Sequence, residues 1–406
     1  MYRRFDEGHP GRRGRHRRRA DRLADGSSSK APSQSFSSPS LAPVRPGVSE
    51  LDQMRTFLGE LPDHIEPGFR EGACLSGSAL RIPRAPVIIV GMGGSATAGE
   101  LASVVLGGEG GLPIRVVRGP SLPPEHGPGS VVILSSHSGE TWEVLRAYEE
   151  AGRRGACRIV FTAGGQLHER ADREGVPIFR LAPDRPPRTT VGSALGGLLG
   201  LFDSWLAVSN ADRIAGTVRR IHRMRSRYAS PRGPAAALAE ALGRRTPIIY
   251  AEAGLLPIAR RWKTGVEENA KRLAMLDELP GAFHNAIAGW DALPSSDANR
   301  WGVILLTCAQ TLRPVAQGCV HFERLVRRRA AFARVVRLPG NDSLEYTLGG
   351  VVLGDFFSLF LADRLRSAPL ETGAIDRFKA SLGYADQVPP ARTRAHPLDP
   401  IPASTA

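Results

Sequence analysis

A doubly wound parallel α/β fold, built as two tandem three-layer α/β/α units, is what this chain predicts, and three observations carry it. Apolar segments of four or five residues recur without hydrophobic alternation, the signature of strands covered on both faces. Each leads into a Gly/Ser-rich loop and then an amphipathic stretch, which is the grammar of parallel sheets with crossover helices. The pattern breaks off near residue 230 and then begins again.

Taken in order, the first 46 residues stand outside that pattern. "GRRGRHRRRA" and "SSSKAPSQSFSSPSLAP" are Arg-rich, then Ser/Pro-rich, with almost nothing apolar to bury, so 1–46 is expected to be a disordered extension. "LDQMRTFLGELPDHI" opens the globular part with a helical stretch. "PVIIV" then leads to "GMGGSATAGELASVVL", and "VVILSSHSGE" leads to a helix over 141–153. "CRIVFTAGGQLHERADREG" repeats the unit, "VPIFRLA" supplies a fourth strand, and "PPRTTVGSALGGLLGLFDSWLAV" closes the unit with a long apolar helix. These elements place a first domain at 47–230.

The break "ASPRGP" separates a basic helix from a second unit at 231–385. There "TPIIYAEAGLLPIARRWKTGVEENAKRLAMLDEL" restarts the strand–loop–helix order. "RWGVILLTC" and "FARVVRLPG" give two more strands, and "TLGGVVLGDFFSLFLADRL" a buried helix. The Pro-rich stretch 386–406 is expected to be loose.

Composition narrows the function. No run of eighteen apolar residues occurs, so no membrane span is expected, and the basic N-terminus lacks the apolar core of a secretion signal. Cys74, Cys157, Cys308 and Cys319 show no C-x-x-C spacing and the ten histidines no H-x-x-x-H pair. They read as buried thiols of a cytoplasmic protein, with neither a metal nor another cofactor expected. Residues 1–46 hold ten Arg, one Lys and four acids, half of the formal +14. A basic arm can touch nucleic acid through phosphates, but an inert tail explains it as well, and the remaining charge suits a small anionic substrate.

Three loops in the first unit place small or hydroxyl residues just after a strand: "GMGGSA", "SSHSGET" and "TAGGQL". Such loops converge at the carboxyl edge of a parallel sheet, where ligands bind. "GMGGSA" lacks the Gly-Lys-Ser/Thr of a nucleotide loop and meets the dinucleotide fingerprint only loosely, Ala96 standing for its third glycine. Hydroxyls without a lysine suit a phosphomonoester held by Ser, Thr and backbone N–H groups at a helix N-terminus. One such loop is an ordinary N-cap. Two in succession favour a phosphate cradle.

"VGMGGSATAGEL", "SSHSGETWEVLRAYEEA", "FTAGGQL" and "PPR" together resemble the sugar-isomerase (SIS) domain of bifunctional phosphoglucose/phosphomannose isomerases. "ARRWKTGVEENAKRLAMLDELPGAFHNAIAGW" resembles that family's second domain, and "LGDFFSLFLADRL" with "IDRFKASL" its C-terminus, from about Leu51 to Leu382. The resemblance implies two tandem SIS domains and a metal-free aldose–ketose isomerase acting on a sugar phosphate. It implies that Ser136, Ser138 and Thr141 hold the phosphate and that Gly94 and Ser95 line the pocket. Arg188 would face an enediolate and Glu268 would be the base. His284 would help open the sugar ring from the neighbouring subunit of a homodimer, with Thr372 and Lys379 completing the pocket.

The residues read singly leave plainer roles open. On a helical wheel Ala259, Trp262, Val266, Ala270 and Leu273 share the buried face, and Glu268 pairs with Arg272 at i,i+4 as a surface salt bridge. His284 reads as a structural histidine, Arg188 as a loop arginine and Lys379 as a surface lysine. The chain also departs from the family: "SHSGET" stands for "SYSGNT", Ala286 for a Glu, and Gly265 for a Gln. Glu140 sets a carboxylate beside the cradle, which weakens phosphate binding unless its side chain turns away. A SIS protein that binds a sugar phosphate with little chemistry, and an arm that contacts nucleic acid, are the competing classes.

Overall fold

The computed structural model describes residues 48–75, 86–107, 113–206, 210–329 and 332–381. The arm at 1–46 and the tail at 386–406 lie outside them. Helices α1 (Glu50–Gly59) and α2 (Ile65–Leu75) precede a sheet of five strands, β1 (Val87–Gly91), β2 (Ile114–Val117), β3 (Val131–Ser135), β4 (Cys157–Thr162) and β5 (Ile178–Arg180). They run parallel in the order β2-β1-β3-β4-β5. Between them come α3 (Gly93–Gly107), α4 (Trp142–Arg153) and α5 (Gly165–Glu174), followed by α6 (Val191–Leu206) and the basic α7 (Ala211–Ala229).

After α8 (Pro234–Leu242), the second unit runs β6 (Thr246–Glu252), α9 (Leu256–Asn269), β7 (Met275–Leu279), α10 (Ala286–Ala292), α11 (Ser295–Ala298) and β8 (Trp301–Thr307). It continues through α12 (Arg313–Arg329), β9 (Phe332–Arg337), α13 (Ser343–Leu365) and α14 (Gly373–Ser381). Its four strands are parallel in the order β7-β6-β8-β9. The two parallel α/β sheets agree with the sequence-based fold class.

Two strands, β2 and β7, are additional to those the sequence singles out. Each lies at the edge of its sheet. β2 is half-exposed and β7 is largely exposed, so neither carries the all-apolar run of the central strands β1 and β3.

Alternate residues of each central strand face different layers. Ile89, Ile133 and Phe161 of the first sheet share one hydrophobic core with Ile249 and Ile304 of the second, joined through α13 by Val351, Phe356 and Phe357. Ile88, Val90, Val132 and Leu134 face the outer layer with Val144, Tyr148 and Leu167. Val303 and Leu305 do the same with Trp290 and Phe322. α13 alone is long and apolar enough to cross a membrane, among the described residues, and its most apolar 18-residue stretch is buried inside the protein. Of the four thiols expected to be buried, Cys308 and Cys319 are, Cys157 is half-buried, and Cys74 is exposed on α2.

The topology brings two of the three candidate loops together. From β1 the chain steps to β2 on one side and then to β3 on the other, so the strand order reverses between β1 and β3, the point at which open parallel sheets generally bind ligands. Gly91 pairs in register with Ser135, which brings "GMGGSA" and "SSHSGET" level at that edge.

Candidate active site

The candidate cradle is a set of hydroxyls bonded to one another and to loop backbone. Ser136 Oγ lies 2.8 Å from Thr141 Oγ1 and accepts the Gly139 N–H at 3.1 Å. Ser138 Oγ accepts the Glu140 N–H at 3.2 Å, and Ser95 Oγ, from the first loop, accepts the His137 N–H at 3.3 Å. Thr141 is the N-cap residue of α4 but makes no side-chain cap bond. The plain capping explanation therefore fails for this loop: the hydroxyls face each other rather than the helix. Each hydroxyl has a single hydrogen to give. The Ser136–Thr141 contact uses one, which leaves the pair's other hydrogen and those of Ser138 and Ser95 uncommitted among the described residues.

Glycine holds this loop against the next. Gly139 has φ +72, and a Cβ there would run into the Gly164 carbonyl of "TAGGQL". Glu140 turns away from the cradle. Its Oε1 accepts the Gln166 N–H at 2.9 Å and its Oε2 accepts Gln166 Nε2–H at 2.8 Å, capping α5 from the preceding loop. His137, the other departure, is buried with Nε2 2.9 Å from the Ala182 carbonyl. Burial holds its pKa below the ordinary 6.5, against the pull of that carbonyl.

Arg188 enters on a 3-10 turn, Pro187–Thr189, pinned by Thr189 Oγ1–H to the Pro186 carbonyl at 2.8 Å. The first loop backs onto it, since a Cβ on Gly94 would lie 3.2 Å from Arg188 Cα. The side chain of Arg188 is only 3% exposed, so it is no loop arginine. Its Nε–H donates to Asn269 Oδ1 at 2.9 Å, its Nη2–H to the Pro369 carbonyl, and its Nη1 lies 3.2 Å from Glu268 Oε2. Burial draws the guanidinium below its usual pKa, and the Glu268 carboxylate pushes it back up.

The surface pair of Glu268 with Arg272 does not form. α9 ends at Asn269, so Arg272 lies beyond the helix and its guanidinium donates to the Arg244 carbonyl. Ala259, Trp262, Val266 and Ala270 are buried as the wheel requires, but Leu273, past the helix end, is 74% exposed. Glu268 instead ends α9 facing Arg188, with its side chain 27% exposed. A partly open carboxylate against a buried, fixed cation is a geometry suited to proton transfer next to a developing negative charge.

The remaining predicted residues bond to neither Arg188 nor Glu268 among the described residues. Thr372 is half-buried and its Oγ1–H donates to Asp376 at 2.8 Å, at the start of α14. Lys379 is exposed on α14, and His284 is exposed on the turn after β7. Neither has a side-chain bond among the described residues, so His284 is not a satisfied structural histidine. No group of three His, Cys, Asp or Glu that could hold a metal is found among the described residues.

Sequence reasoning passes over four residues of this site. Lys271 donates to the Glu268 and Glu371 carbonyls, both at 2.6 Å, from a left-handed backbone of φ +51. Burial and then the nearby Arg188 lower its pKa. Asn269, Arg261 and Asp355 form a buried network around Arg188. The one signal available is a lone Asp within the apolar run "VVLGDFFSLF".

Residues 232–382 match the bacterial phospho-glucose isomerase C-terminal SIS domain. The bifunctional phosphoglucose/phosphomannose isomerase of Caldicellulosiruptor bescii is 30% identical over 329 residues, covering 79% of this chain and 96% of that protein. The enzyme of the same name from Aquifex aeolicus is 28% identical over 301 residues, covering 74% and 91%. Among solved structures, a hypothetical protein from Thermus thermophilus superposes with a TM-score of 0.63 at 14% identity, over 82% of this chain and 93% of that one, a likeness of fold. A relative 30% identical, matched along nearly its whole length, settles the matter of descent: the chain belongs to the bifunctional phosphoglucose/phosphomannose isomerase family.

Proposed function

We propose that this protein is an aldose–ketose isomerase that interconverts glucose 6-phosphate, mannose 6-phosphate or both with fructose 6-phosphate through an enediolate. The observation that carries the reading is the Glu268–Arg188 pair, a half-open carboxylate 3.2 Å from a buried guanidinium fixed on three sides.

In this reading Ser136, Ser138 and Thr141 bind the phosphate with their uncommitted hydroxyl hydrogens, with Gly94 and Ser95 alongside. Once the ring is open, Glu268 takes the proton from C2 of the aldose. Arg188 stabilises the negative charge that builds on the enediolate oxygens, and Glu268 returns the proton to C1. Over the whole step the C2–H bond breaks as a new C1–H bond forms, the C1=O double bond becomes single as C2=O forms, and the O2 hydroxyl proton passes to O1. C1 is reduced as C2 is oxidised, so no outside redox partner is needed. His284, exposed and without a side-chain bond among the described residues, opens the ring in a partner's pocket, and Thr372 and Lys379 close the site, in a homodimer with shared active sites. Two domains, at 47–230 and 231–385, then supply the cradle and the base respectively.

The test is a coupled assay of the purified protein, with each aldose 6-phosphate as substrate and fructose 6-phosphate as the product read. Turnover of at least one epimer supports the reading. Saturable sugar-phosphate binding with no turnover returns the protein to a sensing or regulatory class.

A further inference from the structure

Asp355 lies buried in the fourth turn of α13, with the buried Gly354, Phe356 and Phe357 as its neighbours there. It holds Arg261 of α9 by two bonds, from Nε to Oδ1 at 2.8 Å and from Nη2 to Oδ2 at 3.0 Å, and both side chains are 2% exposed. Burial pushes the Asp355 carboxyl up, and Arg261 draws it back down. Replacing such a pair with apolar side chains of similar volume commonly leaves stability equal or greater, so stability alone gives no reason for it.

Both arms of the pair end on Arg188. On one side Arg261 Nη2–H also donates to the Arg188 carbonyl at 2.8 Å, fixing the backbone from which the side chain springs. On the other, Ser358 Oγ–H donates to the Asp355 carbonyl at 2.7 Å, and Asn269 Nδ2–H donates to Ser358 Oγ at 2.9 Å. Asn269 Oδ1, its amide so oriented, accepts Arg188 Nε–H at 2.9 Å. The ring is closed and buried at every member. With Nε taken by Asn269 and Nη2 by Pro369, it is Nη1 that faces Glu268.

We propose that Arg261, Asp355, Ser358 and Asn269 are positioning residues that hold the Arg188 guanidinium in its working orientation; this rests on the role given to Arg188 above. None of the four touches Glu268's carboxylate in the structure, so their effect on turnover passes through Arg188. Small misplacements of a charge-stabilising group cost up to about 100-fold in rate.

The experiment compares three changes, Arg261→Met with Asp355→Leu, Asn269→Leu, and Ser358→Ala, each made alone and with Arg188→Lys, which cannot donate from Nε. Melting temperature, KM and kcat are read for each. The apolar pair is expected to hold or raise the melting temperature. All three changes are expected to lower kcat, by about 10- to 100-fold for the two larger ones, with KM moving less than about threefold. In the Arg188→Lys background the same changes are expected to be silent, because the interaction they serve is already gone. Should the paired or Asn269 variant fail to fold, Ser358→Ala, which removes a single hydroxyl, carries the same cycle.

A folded variant with wild-type kcat overturns the proposal, as does a loss that multiplies with Arg188→Lys. If Arg188→Lys itself turns over normally, the role of Arg188 falls and takes the positioning claim with it. That outcome is distinct from a damaging Arg188→Lys whose cycle is additive, which removes the positioning claim alone.

Discussion

Glu140→Ala sets two electrostatic accounts of the proposed phosphate loop against each other by sign. A carboxylate pointing into the cradle would repel a phosphate, and its removal would tighten binding. In the structure both Glu140 oxygens are spent on Gln166, at 2.9 Å to its N–H and 2.8 Å to its side-chain amide, and they sit on the N-terminus of α5. Loss of a helix N-cap of this kind costs about 1 kcal/mol, and loss of a negative charge at the helix dipole about 0.3–1 kcal/mol more. Glu140 is exposed, so solvent screening keeps the sum at roughly 1–2 kcal/mol. For a protein of this size that shifts Tm by roughly 1–3 °C. The Glu140 N–H also donates to Ser138 Oγ at 3.2 Å, so a loosened turn misplaces a cradle hydroxyl. Glu140→Ala is therefore expected to lower Tm by that amount and to weaken sugar-phosphate binding a few-fold, measured by urea or thermal unfolding and by titration calorimetry. Tighter binding, or an unchanged Tm, would refute the capping account.

Three further outcomes follow from particular contacts. Burial lowers the His137 pKa below its ordinary 6.5, and burial followed by Arg185 lowers His64 in the same direction. The unfolded chain then binds more protons, so stability falls as pH drops below 6.5; His137→Gln should flatten the dependence of Tm on pH between about 5 and 7, and an unchanged slope would exclude His137 as a source. Arg366 ends α13 in the left-handed region at φ +54, so Arg366→Gly should raise the unfolding free energy by about 0.5–1 kcal/mol, read from the urea midpoint. If His284 serves the neighbouring pocket, mixing inactive Glu268→Gln chains with inactive His284→Ala chains should restore some turnover, and exchange of subunits without any recovery would place His284 outside the site.

The parts of this molecule that announce themselves are those with local causes. β1, β3 and β4 are apolar because both faces are covered, and the hydroxyl-rich loop follows β3 directly. β2 and β7 escape because an edge strand is covered on less of its surface and need not be apolar. The environment of Arg188 is illegible for another reason. Its burial comes from Asn269, 81 residues away, and from Pro369, 181 residues away, and no local pattern encodes those distances. The wheel misjudges Glu268 because it carries the helix past Asn269, where Lys271 turns left-handed and ends it. Asp355 leaves a faint mark, a charge within a run of apolar residues, whose meaning emerges only with Arg261 against it.

The claim at the centre of this account is that Glu268 moves a proton between C1 and C2 of an open-chain sugar phosphate. Fructose 6-phosphate incubated with the protein in D2O and followed by proton NMR tests it directly. With the wild-type chain, deuterium is expected to enter one C1 position of the ketose and C2 of the aldose formed, since a carboxylic acid can trade its proton with solvent before returning it. With Glu268→Gln, exchange and isomerisation are expected to fall together, by roughly 10²–10⁴, while sugar-phosphate binding survives. Isomerisation by the wild-type chain without any deuterium entering, however long the incubation, or exchange that persists in Glu268→Gln, would contradict it.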